Sequence, residues 1–385
     1  MTGAETKARS WVVAGGGTGG HVTPAIALAE RIRSRGDSVA LLGSEYGLET
    51  RLVPAAGFPL VVLPAKQLMG QSFAKRIAAL PGMLRACATA LRVLRKRRAD
   101  IVVSVGGYAS VPAVVAAVLQ RVPLVLVEPN AIPGRANRLA ARFARRIFVQ
   151  FEESTRRFEA FGGRGRVHNT GIPLREDLLR AFDVDCPRRI PTEPLRLLIF
   201  GGSQGAQQIN EAMIEAAPRL DPAAIEIVHQ TGEADRDRVA AAYADAKLEA
   251  DVVSFENDMP SRYRWADLAL CRSGALTVAE LALAALPSLL VPYPFAADDH
   301  QAANARALKT AGAAHLFEGA ANLGERLATS LRALCRLSES TNELRSMSAC
   351  AANLARPEAS RHIVDECAEL MRPAGRRGHR GPREN

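Results

Sequence analysis

A chain of 385 residues is too long for one ordinary domain, and its 48% hydrophobic and 23% charged content excludes a disordered or fibrous polypeptide. The formal charge of +10, from 50 basic and 40 acidic residues, suits an anionic partner such as a phosphorylated substrate or a membrane surface. No basic motif interleaved with aromatics occurs, which argues against nucleic acid, and no run reaches the roughly 18 apolar residues of a membrane span.

The first element is a short apolar strand, Trp11-Val12-Val13-Ala14, running into Gly15-Gly16-Gly17-Thr18-Gly19-Gly20-His21. Thr23 reads as the cap and Pro24 as the first residue of a helix reaching about residue 35. Strand, glycine turn and helix together aim backbone N–H groups at an anion. The spacing also fits G-x-G-x-x-G, so three readings stand: a plain tight turn, a nicotinamide-dinucleotide site, or a wall for another phosphate-bearing ligand. The dinucleotide reading needs an acid at the end of the next strand, 38–42, and finds only Glu45 beyond Gly43. His21 adds a group able to move a proton near neutral pH.

Strands at 60–63, 101–105, 123–127 and 146–149 alternate with helices near 47–56, 73–97, 110–120 and 133–143. Such alternation predicts a parallel sheet covered on both faces. Segment 73–98 carries many cations and no acid before Asp100. It reads either as a basic amphipathic helix lying on an anionic membrane or as an ordinary helix with solvated cations. Strand 101–105 opens onto Gly106-Gly107-Tyr108, and strand 123–127 onto Glu128-Pro129-Asn130. Each of these polar residues alone reads as a loop or capping residue; together, at successive strand ends, they converge on one mouth.

Residues 183–194 are rich in Pro, Asp and Arg and read as a linker. The pattern then restarts with strand 195–200, the turn Gly201-Gly202-Ser203-Gln204-Gly205-Ala206, and a helix over about 207–217. Further strands are expected at 225–229, 251–254, 267–271 and 288–291. Two α/β domains, each opening on a phosphate-type turn, make a cleft between them. Glu280 falls in the early turns of the helix after Arg272-Ser273-Gly274. A carboxylate there can accept paired hydrogen bonds from a ribose, or simply suit the helix dipole. Asp298-Asp299-His300 are adjacent, and adjacent residues rarely face one ion, so no metal is expected. Cys87, Cys186, Cys271, Cys335, Cys350 and Cys367 form no C-x-x-C pair and are expected to be reduced and buried, while the Arg-rich tail 372–385 is expected to be disordered.

Several motifs occur in order: Gly16-Gly17-Thr18-Gly19-Gly20-His21-Val22, Gly106-Gly107-Tyr108, Asn130-Ala131-Ile132-Pro133-Gly134 with Asn137-Arg138, and Gly171-Ile172-Pro173-Leu174-Arg175. They continue with the 201–206 turn, His229-Gln230-Thr231-Gly232, the run Cys271 to Glu280, and Asp299-His300-Gln301 with Asn304-Ala305. From about residue 9 to 370 the chain thereby resembles the MurG family of bacterial peptidoglycan glycosyltransferases. The resemblance implies the α/β GT-B fold, two Rossmann-like domains facing across a cleft. The N-terminal domain would span 9–175 and the C-terminal domain 176–357, with a last helix near 358–371 crossing back.

It further implies inverting transfer of N-acetylglucosamine from UDP-N-acetylglucosamine to the C4 hydroxyl of the muramoyl sugar of lipid I. No cofactor is implied. The enzyme would be peripheral, on the cytoplasmic face of the inner membrane, touching it through 73–98, with other cell-wall synthesis proteins as further partners. Carried over by motif, the donor contacts are Thr18, Gly19, Gly20, Asn130, Arg175, Ser203, the run Ala275, Leu276, Thr277, Val278, Ala279 and Glu280, and Gln301. Glu280 would hold the ribose. The acceptor would meet His21, Gly106, Gly107 and Tyr108, with His21 the first candidate for general base and Glu128 the second.

Four departures from the family pattern stand out: an extra Gly15 before the first loop, Val127-Glu128-Pro129-Asn130 where His-Glu-Gln-Asn is common, Glu256 at a usually apolar position on the uracil side, and Ala285 where glycine is usual, expected to be a packing change. The rival readings are a UDP-N-acetylglucosamine 2-epimerase of the same fold, a nicotinamide oxidoreductase, and a non-catalytic membrane-bound scaffold.

Overall fold

The computed structural model describes residues 8–45, 47–64, 80–183, 188–202 and 205–371. Ser203, residues 73–79 of the basic segment, Cys186, part of the linker and the tail 372–385 lie outside the described residues.

Among the described residues, the first sheet contains β1 Ser10–Gly15, β2 Ser38–Ser44, β3 Leu60–Leu63, β4 Ile101–Gly106, β5 Leu124–Glu128, β6 Arg146–Val149 and β7 Val167–Asn169. Their spatial order is β3-β2-β1-β4-β5-β6-β7. The second contains β8 Leu195–Phe200, β9 Ile225–Gln230, β10 Glu249–Val253, β11 Leu268–Cys271, β12 Ser288–Leu290 and β13 Ala314–Leu316, ordered β10-β9-β8-β11-β12-β13. The strand pairs are parallel in both.

The helices over the first sheet are α1 Gly19–Ser34, α2 Glu49–Ala55, α3 Leu80–Arg97, α4 Val111–Gln120, α5 Arg135–Ala140 and α6 Glu152–Phe158. Next come α7 Glu176–Ala181, α8 Gln207–Ala216, α9 Arg236–Asp245, α10 Met259–Trp265, α11 Ala275–Leu283, α12 His300–Thr310, α13 Leu323–Leu334, α14 Leu337–Asn353 and α15 Ala359–Leu370.

Strand β1 shows why both faces are covered. Its side chains alternate, so Trp11 and Val13 enter one core with Leu28 of α1, while Val12 and Ala14 enter another with Ala90 and Leu94 of α3 and Ala113 of α4. The first of these cores is completed from far along the chain by Ile363, Val364 and Cys367 of α15. That helix packs on α1, with Arg35 paired to Asp365, and Arg146 lies 3.5 Å from Glu366. Leu174 and Leu178 sit in a core of the second sheet.

Strand order reverses between β1 and β4, and again between β8 and β11. Crevices for ligands open at such switch points, beyond the carboxyl ends of the strands. Gly15–Gly20 follows β1, Gly106–Gly107 follows β4, the 201–205 turn follows β8, and Arg272-Ser273-Gly274 follows β11. Topology therefore carries all four turns to the mouths of the two sheets.

Three local expectations are corrected. Helix α1 starts at Gly19 with Thr18 as its cap position, not at Thr23-Pro24. The first-turn N–H groups have no partner within the helix, and Pro24 lies inside it, past that turn, where it forgoes the bond to Gly20 O. His21 consequently lies in the first turn itself. Strands β7 and β13 were not expected; Val167-His168-Asn169 and Ala314-His315-Leu316 contain no apolar run. Ala285 is not a packing change: it has φ +49 and occupies the left-handed position after α11. Leu286 N–H bonds Leu281 O at 2.9 Å and Ala285 N–H bonds Ala282 O at 3.0 Å, the Schellman pattern that favours glycine there.

Candidate functional site

At the mouth of the first sheet, Val22 N–H and His21 N–H both bond Thr18 O at 3.1 Å, closing the first turn of α1. Thr18 Oγ1 lies 3.0 Å from His21 Nδ1. The imidazole rests against Gly106, where an added side-chain carbon would come within 3.3 Å of Cδ2 and 3.4 Å of Nε2. Desolvation chiefly, with the charge of His300 adding to it and that of Glu49 opposing, lowers the His21 pKa to about 4. The ring is therefore neutral at physiological pH. His300 begins α12 of the second domain, so its influence places His21 on the side that faces that domain.

The carboxylate that reaches the first glycine loop is Glu49, at the start of α2, and not the exposed Glu45. Glu49 is fully buried. It accepts from Gly17 N–H at 3.0 Å, Ser44 N–H at 2.8 Å and Ser44 Oγ at 2.7 Å. Ser44 Oγ is in turn 2.9 Å from Tyr108 Oη. Sequence reasoning missed Glu49 and Ser44, because the partner Gly17 lies in another loop, 32 positions away.

Glu128, at the end of β5, is buried, and burial raises its pKa against the lowering effect of its donors. Its Oε1 accepts from Asn130 N–H at 3.0 Å, and its Oε2 from Gly134 N–H at 2.9 Å and Asn137 Nδ2 at 3.0 Å. Both oxygens thus organise the 128–137 loop. That loop meets the second domain: Ala131 N–H donates to Asn304 Oδ1 at 2.8 Å, and Asn304 Nδ2 donates to Asn130 Oδ1 at 3.2 Å and Ser273 O at 3.1 Å. Asp298 bridges the domains as well, 2.9 Å from Arg135 Nη2 and 3.0 Å from Arg138 Nη2. Asp299 lies 3.6 Å from Arg306, and His300 Nδ1 is 2.8 Å from Ala297 O, so the three adjacent residues face three different partners.

In the second domain Glu280 is drawn into α11 and held by Tyr263, whose hydroxyl donates to Oε2 at 2.8 Å. Burial raises the Glu280 pKa to about 7, opposed by the Tyr263 bond and by the charge of Arg175. Arg175 caps α7 and lies 3.5 Å from Asp177. Leu276 and Ala279 of α11 pack against cores of both domains, which sets Ala275–Glu280 along the interface. Gln301 Oε1 accepts from Tyr293 N–H at 2.9 Å, and Gln301 O accepts from Ser273 Oγ at 2.8 Å. Glu256 is accommodated by Arg262 and by Asp258 N–H at 2.8 Å, leaving Phe255 half exposed beside it.

A buried polar chain braces the second glycine turn. Gln230 Nε2 donates to Gly202 O at 2.7 Å. His229, its pKa lowered to about 3 by desolvation, meets Tyr243 Oη at 2.8 Å and Asn210 Oδ1 at 3.1 Å. Asn210 Nδ2 donates to Thr231 O and Asp235, so its Oδ1 can only accept, which puts the His229 proton on Nε2.

Comparison with known proteins agrees with this layout. Residues 11–149 match the glycosyltransferase family 28 N-terminal domain and residues 196–363 the glycosyltransferase family 28 C-terminal domain. The chain is 44% identical to the UDP-N-acetylglucosamine--N-acetylmuramyl-(pentapeptide) pyrophosphoryl-undecaprenol N-acetylglucosamine transferase of Anaeromyxobacter sp., over 96% of this chain and 97% of that one. It is 42% identical to the protein of the same name from Myxococcus xanthus, over 94% and 92% of the two chains. The crystal structure of Acinetobacter baumannii MurG superposes with a TM-score of 0.75 at 30% identity, covering 94% of this chain and 99% of that one. A UDP-GlcNAc 2-epimerase from Neisseria meningitidis shares the fold, with a TM-score of 0.64 at 15% identity over 94% and 100% of the chains. With both domains matched and near full-length relatives above 40% identity, the chain belongs to the MurG branch of glycosyltransferase family 28.

Proposed function

We propose that this protein transfers N-acetylglucosamine from UDP-N-acetylglucosamine to the C4 hydroxyl of the muramoyl sugar of lipid I, inverting the anomeric carbon and releasing UDP. The observation that carries the reading is the pairing, across one cleft, of a neutral histidine from the first switch point with a ribose-type carboxylate from the second domain. The relatives' names supply the substrates. An epimerase is the weaker reading, because the epimerase resemblance is one of fold alone. The nicotinamide reading loses its ground, because Glu49 already fills the N–H that a dinucleotide phosphate would need.

In the tautomer whose Nδ1–H donates to Thr18 Oγ1, 3.0 Å away, His21 Nε2 keeps its lone pair. It takes the proton as the C4 oxygen attacks the anomeric carbon and the bond to UDP breaks, its electrons leaving on the β-phosphate oxygen. Glu128 is the weaker candidate because both its oxygens hold loop donors. The positive end of α8 stabilises the departing diphosphate, with Arg175 nearby. Glu280 accepts from the ribose hydroxyls, and Thr18, Gly19, Gly20, Asn130 and the run Ala275–Val278 complete the donor site. Gly107 and Tyr108 sit on the acceptor side.

No described helix is long and apolar enough to cross a membrane. The acceptor's lipid tail nonetheless requires work at the bilayer surface, on the cytoplasmic face. The outer side of α3 supports this: Leu80 and Leu84 are exposed beside Arg85, and the neighbouring α4 exposes Leu119. Incubation with labelled UDP-N-acetylglucosamine and lipid I should yield a labelled disaccharide-lipid, and its absence overturns the proposal. Replacing Arg92, Arg95, Lys96 and Arg97 with Glu should weaken binding to anionic vesicles while sparing turnover of a short-chain acceptor.

A further inference from the structure

The first glycine loop looks like a phosphate cradle in sequence, yet the structure shows its N–H turned to an anion the protein carries itself. Gly17 N–H, Ser44 N–H and Ser44 Oγ converge on the Glu49 carboxylate at 2.7–3.0 Å. The surrounding glycines are shaped to it. A side-chain carbon on Gly16 would lie 2.3 Å from Glu49 Oε1, one on Gly43 2.5 Å from Glu49 Cγ, and one on Gly47 1.9 Å from Glu49 Oε2. Such approaches are available only to glycine. Three glycines from the β1 and β2 ends therefore enclose one carboxylate, and Tyr108 from the β4 end reaches it through Ser44. These contacts tie together the three strand ends that frame the acceptor side of the cleft.

We propose that Glu49 is a positioning residue: the resident anion of the first glycine loop, fixing Gly17 and so Thr18 and the His21 imidazole against Gly106. The acceptor pyrophosphate consequently does not use the Gly17 N–H. Glu49 is thirty-two positions from Gly17 and makes no hydrogen bond to His21. Beside the direct pull of its charge on the imidazole, its positioning effect runs through the backbone: Gly17 is held by the carboxylate, the next residue presents Oγ1 to Nδ1, and Thr18 O caps the turn that carries the ring. This rests on the assignment of His21 as the base.

Replacing Glu49 with Ala leaves a carboxylate-sized space lined by two freed N–H groups, which a small carboxylate can refill. For the full chain assayed with UDP-N-acetylglucosamine and lipid I, Glu49→Ala should lower kcat about 100-fold, the cost of a misplaced catalytic group, with the KM for each substrate within about twofold. Added formate should then restore at least about a tenth of the lost kcat in a saturable way, while acting on neither the parent enzyme nor the doubly substituted His21→Ala, Glu49→Ala protein. Glu49→Gln, close in shape but with an NH2 confronting an N–H, should lose kcat without changing the melting temperature by more than a degree or two.

Unchanged kcat in either variant overturns the proposal, as does an unaltered kcat with a lowered KM for lipid I, the result expected if the loop were waiting for the acceptor's phosphate. A loss of kcat in a folded Glu49→Ala protein that formate does not restore also overturns it. The outcomes separate from the base assignment, because full activity in His21→Ala alone would remove that assignment while leaving formate rescue of Glu49→Ala to report on the loop.

Discussion

The Tyr263 hydroxyl donates to Glu280 Oε2 at 2.8 Å; the tyrosine is fully buried and Glu280 half-buried. One oxygen of the carboxylate is thereby fixed, and in the proposed reading Oε1 serves the donor's ribose. Tyr263→Phe removes the hydrogen bond that directs the Glu280 carboxylate and leaves Oε2 without that donor, a change worth about 1–2 kcal/mol. The KM for UDP-N-acetylglucosamine should rise about tenfold with kcat nearly unchanged. Steady-state kinetics with varied donor checks this, and an equal fall in kcat would contradict it.

The same carboxyl sets a pH dependence. Burial holds the Glu280 pKa at about 7 in the free enzyme, so the group loses its charge as pH falls through neutrality. A protonated carboxyl accepts fewer hydroxyls, so kcat/KM for the donor should decline below about pH 7, by up to tenfold per unit. Glu280→Gln should flatten that limb. Tyr263→Phe, by removing a bond that lowers the pKa, should move the limb to higher pH.

His21→Ala should reduce kcat by about 10²–10⁴-fold with little change in the donor KM, the range for loss of a general base. Because the His21 pKa lies at about 4, its protonation should not limit the parent enzyme near neutral pH, and any acid limb there belongs to Glu280. A His21→Ala enzyme of full activity would remove the base assignment.

Ala285→Gly should stabilise the protein by about 0.5–1 kcal/mol, because a side chain in the left-handed region costs roughly 1–2 kcal/mol and glycine gives back part of that gain in unfolded-state entropy. Denaturant unfolding followed through the C-terminal domain provides the measurement. Lower stability in the variant would contradict the conformational account and restore the packing one.

Much of this architecture is legible in the residues. Strands β1, β2, β4, β5 and β8 are apolar runs ending in glycine or acidic turns, and their alternation with helices is enough to predict two parallel sheets. The place of Glu280 on the helix after the 272–274 turn was legible because the two lie close in sequence. Glu49 was not: its partner Gly17 lies in another loop, and no local pattern marks a carboxylate that closes a distant turn. Asn304 and Ala131, 173 positions apart, show the same limit. Ala285 was misread because a residue type names a side chain, while the constraint at that position is a backbone angle.

The return of α15 to the first sheet gives the molecule a particular order of assembly. Residues Ile363, Val364 and Cys367 finish a core begun by Trp11 and Val13, so a nascent chain emerging from the ribosome carries an open apolar face on its first domain until the second has been made. The N-terminal half is synthesised first and completed last. The core of the first sheet therefore closes only after the second domain has been made, and a chain cut between α14 and α15 would present that face to chaperones and proteases with the second sheet still attached.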